Sequence, residues 1–179
     1  MLSVIIPTLN EEDYLPGLLT AIKQQGYKDY EVIVADAGST DKTLEIARSF
    51  GCKVVKGGLP AKGRNEGARV ARYDLLMFLD ADILHLPENF FEDAVSALES
   101  RNLGIVSFPI FVAGNRIDGL AYLIYNVLAR LSEKFLPHAS IATLVRKEIH
   151  NRIGGFDEEI KIAEDHEYAR RAAKLSKFA

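Results

Sequence analysis

Along the first half of the chain, short β-rich runs alternate with segments of helical period, the pattern of parallel strands joined by crossover helices. Ser3 to Ile6, Tyr30 to Ala35, Lys53 to Lys56 and Leu75 to Leu79 read as strands. Between them, Glu11 to Gln25 sets Leu15, Leu18, Leu19 and Ile22 on one helical face, and Gly38-Ser39-Thr40-Asp41 supplies a turn and N-cap residues for a helix through Phe50. Ala61 to Ala71 is a third helix. Such a half is Rossmann-like, and whatever it binds lies at the C-terminal ends of its strands. Beyond Asp82 the pattern changes. Pro87 opens a helix to about Glu99, Gly104 to Phe111 is a strand, and Asp118 to Lys134 is a helix with a stripe of Leu120, Leu123, Ile124, Val127, Leu128 and Leu131. Ile141 to Val145 reads as a last strand, Gly154-Gly155 as a turn, and Ala163 to Leu175 as a final helix. With no repeat and no linker, residues 1–179 predict a single α/β domain, a mostly parallel central sheet flanked by helices.

Composition narrows the classes. A chain of 179 residues with 48% hydrophobic and 26% charged residues buries an ordinary core, and a formal net charge of −3 gives no basic field for nucleic acid. The single cysteine, Cys52, cannot close an intramolecular disulfide, which suits a reducing compartment. Met1-Leu2-Ser3-Val4-Ile5-Ile6-Pro7 lacks a basic leader, and no run reaches the roughly 18 apolar residues of a membrane span. The expected location is the cytoplasm. The apolar stripe of residues 118–134 suits a core or a second copy of the chain, and its flanking Arg116, Arg130 and Lys134 leave peripheral contact with the inner face of a membrane as the alternative.

The chemistry concentrates at Asp80-Ala81-Asp82, which ends the apolar run Leu75 to Leu79. Residues i and i+2 of a strand point the same way, and two carboxylates held together are costly to ionise without a cation or donor between them. A hard divalent ion, Mg²⁺ or Mn²⁺, is the economical partner, since it accepts carboxylate oxygens and keeps positions for phosphate. Glu11 follows the first strand and Asp36 the second, so a parallel sheet carries all four acids to one edge. Singly, Glu11 is as well explained by the helix dipole and Asp36 by turn formation. Lys62, Arg64 and Asn65 precede or open a helix, where charge and backbone N–H groups suit phosphate or simply face water. Asp165 stands at the start of the last helix, as a cap or as a proton acceptor beside the same crevice. Glu167 and Arg171 are spaced for a surface ion pair.

Taken in order, the blocks Ser3 to Glu11, Val32 to Asp41, Ala61 to Gly67, Phe78 to Asp82, Gly154 to Glu158 and Glu164-Asp165 resemble the family 2 glycosyltransferases, inverting enzymes of GT-A fold that use nucleotide sugars. The resemblance implies that Pro7, Thr8, Leu9, Glu11 and Asp36 hold the base and ribose of a UDP- or GDP-sugar, with Arg64 near the base or phosphates. Asp80 and Ala81 would meet ribose and phosphate, Asp82 with Asp80 would hold Mn²⁺ or Mg²⁺, and Asp165 would deprotonate the acceptor hydroxyl. It further implies a nucleotide-sugar half over about 1–100 and an acceptor half over about 101–179. The acceptor would be a saccharide, a lipid-linked sugar or a protein. Two departures accompany it. Ala37 stands where many members carry a second acid, and family members usually continue past the position of Ala179, so a short or truncated member is expected. Without Trp there is no Gln-x-x-Arg-Trp motif, which points to single-sugar transfer. Two other classes meet some of the same residues: a non-catalytic nucleotide-binding module, and an Asp-x-Asp phosphohydrolase with Asp80 as nucleophile. The latter normally carries its motif after the first strand rather than the fourth.

Overall fold

The computed structural model describes residues 1–108 and 142–178. Among the described residues, six strands form one sheet, in the order β3-β2-β1-β4-β6-β5. Strands β1 (Leu2–Thr8), β2 (Tyr30–Asp36), β3 (Lys53–Lys56) and β4 (Leu75–Leu79) run parallel, joined through α1 (Leu15–Gln24), α2 (Thr43–Ser49) and α3 (Pro60–Val70). After α4 (Phe90–Ser100) come β5 (Ile105–Ser107) and β6 (Ala142–Arg146), and β6 lies antiparallel between β4 and β5. Two further helices follow, α5 (Lys147–Arg152) and α6 (Glu164–Ala173).

Helices cover both faces, which is why the strands are apolar almost throughout. One layer packs Leu2, Val4, Ile6, Met77, Leu79 and Leu144 against Leu15, Leu18, Leu19 and Ile22 of α1 and Phe91, Ala94, Val95 and Leu98 of α4. The other packs Ile5, Ile33, Leu76, Phe78 and Val145 against Ala61 and Ala68 of α3, Ile149 of α5 and Tyr168 and Ala172 of α6. The alternation of Val4 and Ile6 with Ile5 along β1 follows the two-residue period of a strand. Because β1 connects outward to β2 on one side and lies beside β4 on the other, the strand order reverses there. An open crevice forms at the C-terminal edge of such a sheet.

The predicted parallel half matches the structure closely, with differences at the ends. Helix α1 begins at Leu15 rather than Glu11, because Asn10 adopts φ 56° and Pro16 takes the second helical position. Helix α4 begins at Phe90 rather than Pro87. Helix α5 was not expected: six residues are too few to display a helical period. The sheet is mixed, since the last strand returns antiparallel. The expected helix Asp118 to Lys134 and the end of the strand expected to reach Phe111 lie outside the described residues. Among the described residues no helix is long and apolar enough to cross a membrane.

Candidate functional site

Two loops zip together at the edge beyond β1 and β2. Thr8 and Asp36 are partners in register, and the Ala37 N–H continues the pairing onto the Thr8 carbonyl at 2.9 Å. Asn10 then accepts from the Thr40 N–H at 2.9 Å and donates its own N–H to Ser39 Oγ at 2.9 Å. The Glu11 N–H reaches Thr43 Oγ1 at 2.7 Å, and Asp41 accepts from the Glu12 and Thr43 N–H groups. Asp41 therefore closes an Asx turn at the start of α2 and fastens the neighbouring loop at once.

Asp36 is buried and saturated by its own turn. Its Oδ1 accepts from Thr8 Oγ1 at 3.1 Å and Ser39 Oγ at 2.5 Å, and its Oδ2 accepts from the Gly38 and Ser39 N–H groups at 2.8 and 2.9 Å. Burial works against the ionised form, but these donors outweigh it and hold the carboxyl below its usual range. Thr8 is buried, Pro7 half-buried and Leu9 exposed, so β1 ends by delivering its last side chains to the rim.

The acidic turn after β4 divides its three residues. Ala81 is buried, Asp82 is exposed, and Asp80 lies between, with its side chain 30% exposed. Asp80 Oδ1 accepts from Arg64 Nη2 at 2.6 Å. Burial nevertheless pushes the Asp80 carboxyl up, Arg64 offsets part of that, and the neighbouring Asp82 and Asp165 charges add to it. Glu11 is likewise raised, first by burial and then by Asp82, Asp41 and Asp80. Glu11, Asp80, Asp82 and Asp165 thus share one electrostatic neighbourhood although they come from three separate segments of the chain. Such crowding of like charge in a crevice is the arrangement that binding sites exploit.

Asp165 occupies the second position of α6 and accepts the N–H of His166 at 2.8 Å. The helix starts abruptly, from Ala163 at φ 61°. Glu164, which sequence reasoning left without a role, accepts from Arg64 Nη1 at 2.6 Å. Arg64, expected beside base or phosphate, is only 6% exposed and gives its two terminal nitrogens to two different carboxylates. Asn65 serves the loop after α5 instead of facing water: its Nδ2 donates to the Phe156 carbonyl at 2.9 Å and its Oδ1 accepts the Phe156 N–H at 2.8 Å. Lys62 is exposed. Glu167 and Arg171 form the expected pair, bidentate at 2.6 Å, and Arg171 also donates to the Ile153 and Gly155 carbonyls.

Among the described residues no three Asp, Glu, His or Cys side chains assemble into a cage for an ion. The acids present suit a different regime, in which one or two carboxylates hold Mg²⁺ or Mn²⁺ and substrate phosphates complete the shell. In that regime an exposed Asp82, two residues from Asp80, would supply oxygen donors.

The family model described as glycosyl transferase family 2 matches residues 3–156. The chain belongs to this family. A glycosyltransferase of Haemophilus influenzae is 28% identical over 99% of this chain and 64% of its own length. The validoxylamine A glucosyltransferase of Streptomyces hygroscopicus subsp. limoneus is 39% identical over 49% of this chain and 22% of its own. The chain therefore spans less than two thirds of the length of these relatives. Among solved structures, S. aureus TarS 1-349 in complex with UDP-GlcNAc superposes with a TM-score of 0.78 at 25% identity, covering 98% of this chain and 54% of that one. A mannosyltransferase from Pyrobaculum calidifontis in complex with GDP-Man and Mn²⁺ gives 0.77 at 26% identity, covering 97% and 52%. The mixed sheet and its flanking helices are thus a GT-A architecture.

Proposed function

We propose that the chain transfers one sugar from a nucleotide-diphosphate sugar to an acceptor hydroxyl, with inversion at the anomeric carbon. The observation that carries this reading is the Arg64 bridge at 2.6 Å to both Asp80, in the acidic turn after β4, and Glu164, the residue before Asp165. Family 2 membership and the nucleotide-sugar complexes of the TarS and Pyrobaculum neighbours support the donor class, UDP- or GDP-linked. Pro7, Thr8, Leu9, Glu11 and Asp36 would line the nucleoside side, and Ala81 would meet ribose and phosphate through its backbone. Since Asp36 is already saturated by its turn, it serves chiefly by fixing the shape of that wall. Asp82, with the second oxygen of Asp80, would hold Mn²⁺ or Mg²⁺. That ion would neutralise charge on the departing diphosphate. Asp165, as general base, accepts the proton of the acceptor hydroxyl while its oxygen attacks, so that one displacement inverts the centre. Residues 1–100 supply the donor side in this reading, and residues 101–179 the acceptor side with the base.

The test pairs turnover with binding. Released nucleotide is measured from UDP- and GDP-sugars with Mn²⁺ for wild type and Asp165→Asn, and UDP and GDP affinity by calorimetry, with and without Mn²⁺, for wild type, Asp165→Asn and Asp82→Ala. General-base loss should lower turnover by about 10²- to 10⁴-fold while leaving nucleotide affinity intact. Asp82→Ala should abolish the Mn²⁺ dependence of that affinity. Wild-type turnover in Asp165→Asn would sink the assignment of the base. Nucleotide binding with no turnover of any donor would leave a binding module.

A further inference from the structure

Arg64 and Glu164 form a buried ion pair that donor binding alone does not require. We infer that they are positioning residues, one guanidinium clamping the acidic turn after β4 to the first turn of the helix that carries Asp165. The inference rests on the function proposed above. Its geometric basis is a fork spread across two partners: Nη2 on Asp80 Oδ1 and Nη1 on Glu164 Oε1, both at 2.6 Å, with the Arg64 side chain 7% and that of Glu164 14% exposed. A guanidinium is planar and rigid, so bonding one carboxylate at each terminal nitrogen sets the separation of the two. Asp165 is the next residue after Glu164 along the helix. Fixing Glu164 against Asp80 therefore fixes the proposed base against the proposed diphosphate site.

The base of this clamp is itself tightly packed. Helix α3 lies so close to β1 that a Cβ on Gly63 would stand 3.0 Å from Pro7 Cβ, and one on Gly67 2.4 Å from Ile5 Cγ2. Phe156 packs beneath the Arg64 guanidinium at 5.3 Å and stacks on Tyr168 of α6 at 3.9 Å.

Docking of α6 does not explain the pair. Asn65 holds Phe156 by two hydrogen bonds, Phe156 stacks on Tyr168, and Arg171 holds the Ile153 and Gly155 carbonyls, and to these Arg64 adds only the face of its guanidinium over Phe156 and neither of its ion pairs. A buried ion pair costs desolvation that packing of similar volume would not, so its presence here is an expense with a local purpose. That purpose is register: misplacing a reacting group by about 1 Å can cost on the order of 10²-fold in rate.

The experiment measures donor turnover and nucleotide affinity for Glu164→Ala, Glu164→Gln, Arg64→Lys and the double variant Arg64→Lys/Glu164→Ala, with thermal unfolding to confirm that each is folded. In Glu164→Ala, kcat should fall about tenfold or more while the Kd for UDP or GDP with Mn²⁺ stays within about twofold, because Asp80 keeps its partner. Glu164→Gln should recover most of that loss, since its carbonyl still accepts from Arg64 Nη1. Arg64→Lys offers a single ammonium that cannot span both carboxylates, so adding Glu164→Ala to it should cost little more. If Glu164→Ala is unfolded, Glu164→Asp, which keeps the charge and shortens the reach, takes its place with the same expectation. Wild-type kcat in the folded Glu164 variant, a Gln variant as slow as Ala, or costs that simply add would each overturn the inference. The two readings fail separately. Turnover lost in Asp165→Asn but intact in Glu164→Ala removes only the clamp, whereas turnover unchanged in Asp165→Asn removes the proposed base and the clamp with it.

Discussion

Gly154 and Gly155 both sit in the left-handed region, at φ 79° and 76°, yet they are there for different reasons. A Cβ on Gly154 would meet nothing within 4 Å, so Gly154→Ala carries only the backbone cost, about 1 kcal/mol. A Cβ on Gly155 would stand 2.6 Å from Asn65 Oδ1, the atom that accepts the Phe156 N–H. Gly155→Ala should therefore cost about 2–3 kcal/mol, the same backbone cost plus a lost part-buried hydrogen bond. Urea unfolding of the two variants checks this, and equal losses would mean that Asn65 moves aside freely. The pair also marks the limit of reading residues from sequence. Gly-Gly announces a turn through its own conformational freedom, and strand-end position singles out Asp80, Asp82, Glu11 and Asp36. The partners Asn65–Phe156 and Arg64–Glu164 carry no local signal, because they meet only after α3 and α6 have packed on the same face of the sheet. Asp36 shows the converse. Its position was legible, but its saturation by Thr8, Gly38 and Ser39 depends on how the turn closes.

Helix α1 contains one glycine and α3 two, and packing decides what each glycine does. Gly17 in α1 is exposed and an added Cβ would meet nothing within 4 Å, so Gly17→Ala should stabilise the protein by about 0.5–1 kcal/mol through helix propensity and a less flexible unfolded chain. Gly67 in α3 is buried, and its Cβ would press on Ile5 Cγ2 at 2.4 Å, so the same change should destabilise by about 1–3 kcal/mol despite the gain in propensity. Thermal unfolding of the two single variants separates them. A stabilised Gly67→Ala would show that α3 can lift from β1, which would also loosen the base of the Arg64 clamp. At this scale sequence period located most elements, because α1, α4, β1 and β4 each bury an extended apolar pattern. It missed α5, whose six residues bury only Ile149 and His150. It also did not give the direction of β6, which is set by which edge of β4 remains open rather than by anything within Ala142–Arg146.

Across the whole molecule, the second layer of the core closes around a histidine that links β4, α5, α6 and the loop between the two helices. His150 is buried among Phe78, Phe156 and Tyr168, with ring centroids 5.7, 6.2 and 5.7 Å away, and its Nδ1 is 2.9 Å from the Tyr168 hydroxyl. Burial first, then the nearby Lys147 and Arg171 charges, lower its pKa from 6.5 to about 4. The same burial pushes the Tyr168 hydroxyl upward, so both groups are neutral at neutral pH. A histidine whose folded pKa lies below its unfolded one binds its proton in the unfolded chain first. Its stabilising effect is complete above about pH 6.5, falls as the pH drops through the window down to about 4, and changes no further below it. The full span corresponds to about 3 kcal/mol, a large share of the stability of a domain this size. Carboxylates titrate in the same range, so the measurement is a difference: the urea midpoint against pH for wild type and for His150→Asn, whose side-chain oxygen can still meet the Tyr168 hydroxyl. The variant should start less stable at pH 7, because the aromatic packing is lost, yet lose less stability than wild type between pH 6.5 and 4. Parallel curves would mean that the ring is reached by water or takes its proton without opening the core, and the joint between β4, α5 and α6 would then owe nothing to a neutral imidazole.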